Sequence, residues 1–300
     1  MPSGTMTDIR VFDTALIRRR KARALAQGGD HDFLFREVAD RLYDRLSDVS
    51  RTFGPMLEIG ARDRFLADRL ARAGKARTAI LCGNTVPDRA QAAGQFILVD
   101  EERLPFGDRK FDLIVSNLAL HWVNDLPGTL VQVNRALRPD GLFQAAVLGG
   151  ETLHELRACL MDAELEVLGG VSPRISPMVD LRDAAGLMQR AGFALPVVDT
   201  DRITVTYADA FRLMADLRAM GEGNAVIERR KSFTPRAVFL HAAALYADRY
   251  AGPDGRISAT FDILYLHGWR PSESQPKPLR PGSAGARLAD ALDTDEKKLP

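Results

Sequence analysis

The sequence predicts an α/β fold, a mostly parallel sheet with helices on both faces. Two observations carry this. From about residue 55 to residue 150, short apolar runs of strand length alternate with segments whose apolar residues recur every three or four positions, and parallel strands need crossovers of that kind. The chain, 300 residues of which 46% are hydrophobic, is also long enough to bury a core around such a sheet without disulfides.

The first fifty residues read as a helical arm. A basic run, Arg18-Arg19-Arg20-Lys21-Ala22-Arg23, precedes a break at Gly28-Gly29-Asp30, after which Phe35, Val38, Leu42, Tyr43 and Leu46 mark one apolar helix face. The core begins with MLEIG as a strand and a helix over Phe65 to Arg72. TAILCG, a helix near Asp88 to Ala93 and FILVD follow. Next come FDLIVSN, a helix over Leu126 to Leu137, and GLFQAAVLG after the turn Arg138-Pro139-Asp140-Gly141. Beyond Gly150 a helix is expected from Glu151 to Leu168 and another through Arg190, stopped by Gly192. VVDTDRITVTY and ATFDILYLHGW alternate as strands and enclose a helical insertion at about 208–250. Pro271, Pro276, Pro278 and Pro281 mark an irregular tail. The expected organisation is an arm over 1–50, a core over 51–268 and a tail over 269–300.

Forty-one Lys and Arg against 40 Asp and Glu leave a formal charge of +1, so no global field recruits nucleic acid or an acidic membrane. No apolar run approaches bilayer length, and the N-terminus lacks a signal-peptide core. Two cysteines support neither a disulfide framework nor a four-sulfur zinc site, and a reducing compartment is expected. With no leader ahead of the motifs, the expected location is cytoplasmic.

Ligands of open parallel sheets bind beyond the carboxyl ends of the strands, near the switch in strand order. The residues at those ends are Glu58-Ile59-Gly60, Gly83-Asn84, Asp100-Glu101 and Ser116-Asn117, with His121-Trp122 soon after. The string LPFGDRKFDLIVSNLALHWVNDL, followed by LRPDG, resembles the class I S-adenosylmethionine-dependent methyltransferases. That resemblance implies a Rossmann-like, seven-stranded fold and S-adenosylmethionine as cofactor. It also implies cofactor contacts from Glu58, Gly60, Asn84, Asp100, Glu101 and Asn117, with the acid at Asp100 accepting from the adenine amine.

Over nearly the whole chain, VFDTALIRRRKARAL, GGETLHELRACLMDAE, GGVSPRISP, DLRAMGEGNA and HGWRPSESQPKP are similar to the mitochondrial complex I assembly factors of that superfamily, regarded as arginine hydroxylases. The resemblance implies an enzyme with a protein substrate, a subunit of respiratory complex I. Two other readings stand beside it: an O-methyltransferase of the biotin-synthesis type, and a catalytically inactive binding module that chaperones assembly.

The chain departs from the superfamily pattern in two turns. Gly60-Ala61-Arg62-Asp63-Arg64 keeps only the first glycine of a Gly-x-Gly-x-Gly turn, and an arginine there either pairs with the cofactor's carboxylate or fills the pocket. At the end of TAILCG, Gly83 stands where the family has a ribose-binding acid. His121, the candidate catalytic residue, either faces substrate or caps its turn, whereas Trp122 is read as packing and Asp13 as a helix cap. The other four histidines have no acidic or cysteine neighbours at metal spacing, and no metal ligand is assigned.

Overall fold

The computed structural model describes residues 10–28, 31–87 and 96–276. Two helices lead: α1 (Thr14–Gln27), capped by Asp13 as expected, and α2 (Phe33–Ser47). The core then runs β1 (Phe53–Ile59), α3 (Phe65–Arg72), β2 (Ala76–Gly83), β3 (Phe96–Leu98), β4 (Phe111–Asn117), α4 (Leu126–Ala136) and β5 (Leu137–Leu148). Last come α5 (His154–Leu168), α6 (Leu181–Arg190), β6 (Ala194–Tyr207), α7 (Ala210–Met220), α8 (Arg236–Tyr250) and β7 (Ile257–Trp269). The helix expected near Asp88 to Ala93 and most of the expected tail lie outside the described residues.

The seven strands form one sheet in the order β3-β2-β1-β4-β5-β7-β6. Strands β1 to β5 pair in parallel, and β7 is antiparallel to both β5 and β6. The order reverses between β1 and β4, so the crevice for a ligand opens where Ile59 and Asn117 end. Helices α2, α3, α5, α7 and α8 send apolar residues into one core layer, including Leu42, Leu66, Cys159, Leu213 and Tyr246. Helices α4 and α6 fill the opposite layer with Leu130, Val133, Ala184 and Met188.

Two expectations are adjusted. Arg138 to Gly141, read as a turn, is the irregular start of β5, where pairing with β4 shifts register and Asp140 is left-handed at φ +61°. Helix α5 starts at His154 rather than Glu151. There the Thr152 hydroxyl donates to the Asp262 carbonyl at 3.0 Å, and Leu153 turns left-handed at φ +54°, which no helical residue adopts.

The arm is strapped across the carboxyl edge of the sheet. Asn124 Oδ1 accepts from the backbone N–H groups of Val11 and Phe12 at 2.8 and 2.7 Å, while its own N–H groups donate to Glu102. Phe12 also bridges to Val226 and packs edge-on against Trp122 at 5.4 Å. Phe12, Ile17, Trp122, Ala225 and Val226 make a small third core that seats α1 over the crevice.

Candidate functional site

The turn after β1 is formed by glycine for a packing reason. Gly60 has φ +74°, and a Cβ there would stand 2.1 Å from the Cβ of Ala119, in the loop after β4. Its N–H and that of Ala61 both donate to the Cys82 carbonyl at 2.7 and 3.0 Å, which locks the turn to β2. Arg62 fills the space that a glycine-rich turn leaves open. Its guanidinium donates to the Met220 carbonyl and to Asp32, lies 3.9 Å from the Phe35 ring centre, and is 14% exposed. Arg64 instead pairs with Asp68 along α3.

Glu58 and Asn117 meet at the switch point. Both border one small cavity with Gly60 and Arg62. Glu58 Oε2 and Asn117 Oδ1 are buried and have no hydrogen-bond partner among the described residues, although Asn117 Nδ2 donates to the Phe35 carbonyl at 2.8 Å. Burial, reinforced by the negative charge of Asp63, pushes the Glu58 carboxyl up to about 8.

An acid from the loop beyond β3 stands beside the end of β2. Gly83 pairs with Leu98 of β3, and the loop beyond β3 brings Glu101 back so that its Oε1 accepts from the Asn84 N–H at 3.1 Å. Glu101 is 6% exposed. Asp100 is exposed and accepts from the Glu102 N–H at 3.0 Å, and it borders a second small cavity with Asn84 and Glu101. Lys21 of α1 reaches down between that cavity and a third one at Gly60 and Gly83. It is 9% exposed, and no carboxylate lies within ion-pair distance of it among the described residues.

His121 sits in a single 3-10 turn, Leu120–Trp122, and is buried. Its partner, which no spacing in the sequence points to, is Glu222, just after the left-handed Gly221 that ends α7. Glu222 Oε2 bonds to His121 Nε2 at 3.1 Å and accepts from Trp122 Nε1 at 2.9 Å. Its side chain is 6% exposed, its Oε1 has no hydrogen-bond partner, and neither has His121 Nδ1. Burial opposes ionisation of Glu222, but the His121 bond and the charges of His121, Lys21 and Arg62 outweigh it and hold the carboxyl below its usual range.

Glu222 also lines a cavity of about 740 Å³ on the far side of α1. The floor of that cavity is apolar, with Leu148, Leu156, Leu160 and Phe261, and arginines of α1, α7 and the loops stand around it.

A methyltransferase-domain family model matches residues 31–196, a span that contains Glu58, the Gly60 turn, Glu101 and His121. The chain belongs to this family. Over 288 residues it is 41% identical to a Danio rerio protein named arginine-hydroxylase NDUFAF5, mitochondrial, covering 94% of this chain and 89% of that one. A malonyl-[acyl-carrier protein] O-methyltransferase of Halorhodospira halophila is 31% identical over 271 residues, covering 87% and 90%. The YcgJ protein of Bacillus subtilis has the same fold at TM-score 0.53 and 15% identity, covering 78% of this chain and 99% of that structure. The chain is thus a methyltransferase-superfamily enzyme, more similar to the arginine hydroxylases than to the O-methyltransferases, and the inactive-module reading is not favoured.

One expectation falls. The vertebrate relatives that span nearly the whole chain are named as mitochondrial proteins, which overturns the cytoplasmic location. Two cysteines fit a reducing compartment but do not separate one such compartment from another.

S-adenosylmethionine is the cofactor of this superfamily, and the donor set suits it: partnerless buried oxygens at the switch point, one glycine, Gly60, in the turn beside them, and a carboxylate beside Asn84. Volume is the obstacle. The three small cavities measure about 20, 20 and 10 Å³, with Lys21 and Arg62 between them, whereas sites for molecules of this size hold roughly 300 Å³ or more. Room for the cofactor requires the groups that divide these cavities, Lys21 of α1 and Arg62 of the turn, to move apart.

Proposed function

We propose that this enzyme hydroxylates an arginine side chain of a protein partner, a subunit of respiratory complex I, with S-adenosylmethionine held in the crevice under α1. Dioxygen, two electrons and two protons come from outside the chain: one oxygen atom is inserted and the other leaves as water. The 41% identity to an arginine hydroxylase across nearly the full length of both chains carries this reading. A mitochondrial setting for the partner follows the names of the relatives. When bound, the cofactor supplies a positively charged sulfonium centre. Glu58 and Asn117 serve its polar methionine end, Gly60 lets the backbone approach it, and Asn84 and Glu101 face the ribose hydroxyls. Asp100 accepts from the adenine amine. His121, held by Glu222 in the turn after β4, orients the reacting side chain.

Peptide mapping by mass spectrometry of the matching complex I subunit, from cells with and without this chain, tests the reading. Loss of one oxygen on an arginine when the chain is absent supports it. Loss of one methylene points to methylation, and an unaltered subunit rejects modification altogether.

A further inference from the structure

The large cavity has a charge pattern that the cofactor crevice does not explain. Among its lining residues is Glu222, next to the turn that holds His121, a nearly buried carboxylate held below its usual range whose Oε1 is buried and has no hydrogen-bond partner. Its rim carries arginines of two kinds. Arg174, Arg229 and Arg20 are committed, to Glu164, Asp13 and the Asn224 carbonyl respectively. Arg23, Arg218 and Arg230 are exposed, and their side chains have no ion pair or hydrogen bond among the described residues.

Desolvation makes an unsatisfied buried carboxylate oxygen costly, and a planar guanidinium satisfies it better than water or ammonium does. Three unpaired cations on a rim repel a basic peptide and attract an acidic one. The apolar floor accommodates the methylene stem of a long side chain. One chemistry meets all three conditions, an arginine carried in an acidic stretch of protein.

We propose that Glu222 receives the guanidinium of the target arginine through Oε1, and that Arg23, Arg218 and Arg230 bind acidic side chains flanking that arginine. This rests on the arginine-modifying reading and adds to it a recognition residue and a substrate class. Glu222 lines the cavity and holds His121, so a side chain bound to it lies next to the turn that follows β4.

Fluorescence anisotropy with the full chain tests it, using a labelled peptide with one central arginine between aspartates and glutamates. A second peptide carries citrulline, the neutral counterpart, and a third carries the amides in place of the acids. With the unaltered protein, the citrulline peptide should bind about tenfold or more weakly, since a charge-assisted bond is lost. The amide peptide should bind more weakly and lose most of its salt dependence. In Glu222→Gln the arginine and citrulline peptides should bind alike, and Arg218→Ala/Arg230→Ala should erase the preference for acids while keeping that for arginine.

Equal binding of arginine and citrulline peptides to the unaltered protein overturns the role of Glu222 and needs no variant to fold. An anionic long-chain amphiphile, dodecyl phosphate, that saturates the cavity while no peptide binds overturns the substrate class. These readouts do not depend on hydroxylation: if peptides discriminate as stated but the complex I subunit is unmodified, the proposed function fails and this recognition stands.

Discussion

Replacing Glu58 with glutamine should change how stability depends on pH. The folded chain holds the Glu58 proton up to about pH 8, whereas an unfolded chain releases it near 4.5. Between those values the folded state binds more protons than the unfolded one, so the free energy of unfolding falls as pH rises. At about 1.4 kcal/mol per tenfold change, the full gap amounts to about 5 kcal/mol, and about 3 kcal/mol of it has been lost by neutral pH. Glutamine keeps the shape and neutrality of the protonated acid, so Glu58→Gln should match the unaltered protein at pH 5 and exceed it by about 3 to 5 kcal/mol at pH 8.5. Urea unfolding followed by tryptophan fluorescence across this range measures the difference. Stability lines that run parallel from pH 5 to 9 would refute the burial argument for this carboxylate.

The same group sets an affinity trend: if Glu58 must ionise to hold the cofactor's ammonium, calorimetry with S-adenosylhomocysteine should show affinity rising up to about tenfold per pH unit between 6 and 8, and Glu58→Gln should flatten the rise. Gly60→Ala places a Cβ 2.1 Å from Ala119 at a left-handed position and should cost about 2 to 4 kcal/mol, read as a drop in Tm. Arg174→Met strands the buried Glu164, which keeps only its bonds from Ser172, and should cost about 2 to 4 kcal/mol. Adding Glu164→Gln should recover part of that loss, and a double variant no more stable than Arg174→Met would show that the pair contributes little.

The sheet was legible because its strands are buried on both faces and read as continuous apolar runs, bounded by the residues that end them. Strand β6, at the edge, was legible for the opposite reason, since its side chains alternate between cover and solvent. The crevice residues were legible through position alone, because strand ends locate them. What was not legible depends on adjacency across distant segments. Glu101 reaches the end of β2 beside Asn84 only because β2 and β3 are neighbours in register. Glu222 is one acid between two glycines in a polar loop, and its partner His121 lies 101 residues earlier. The fate of Arg62 was posed as a choice between pairing with a ligand and filling space, and the decision came from Met220 and Asp32, which the sequence separates from it by 158 and 30 positions.

Helix α1 is a party wall. From one face Ile17 and Lys21 project toward the crevice, and from the other Arg20 and Arg23 stand on the rim of the large cavity. A rigid helix cannot move one set without the other. Any occupant of the crevice that needs α1 displaced must also reposition the cavity's cations, and whatever clamps those cations must resist or assist that displacement. By thermodynamic reciprocity the two occupants then alter each other's affinity by the same factor, so the order in which they arrive changes the path and not the total.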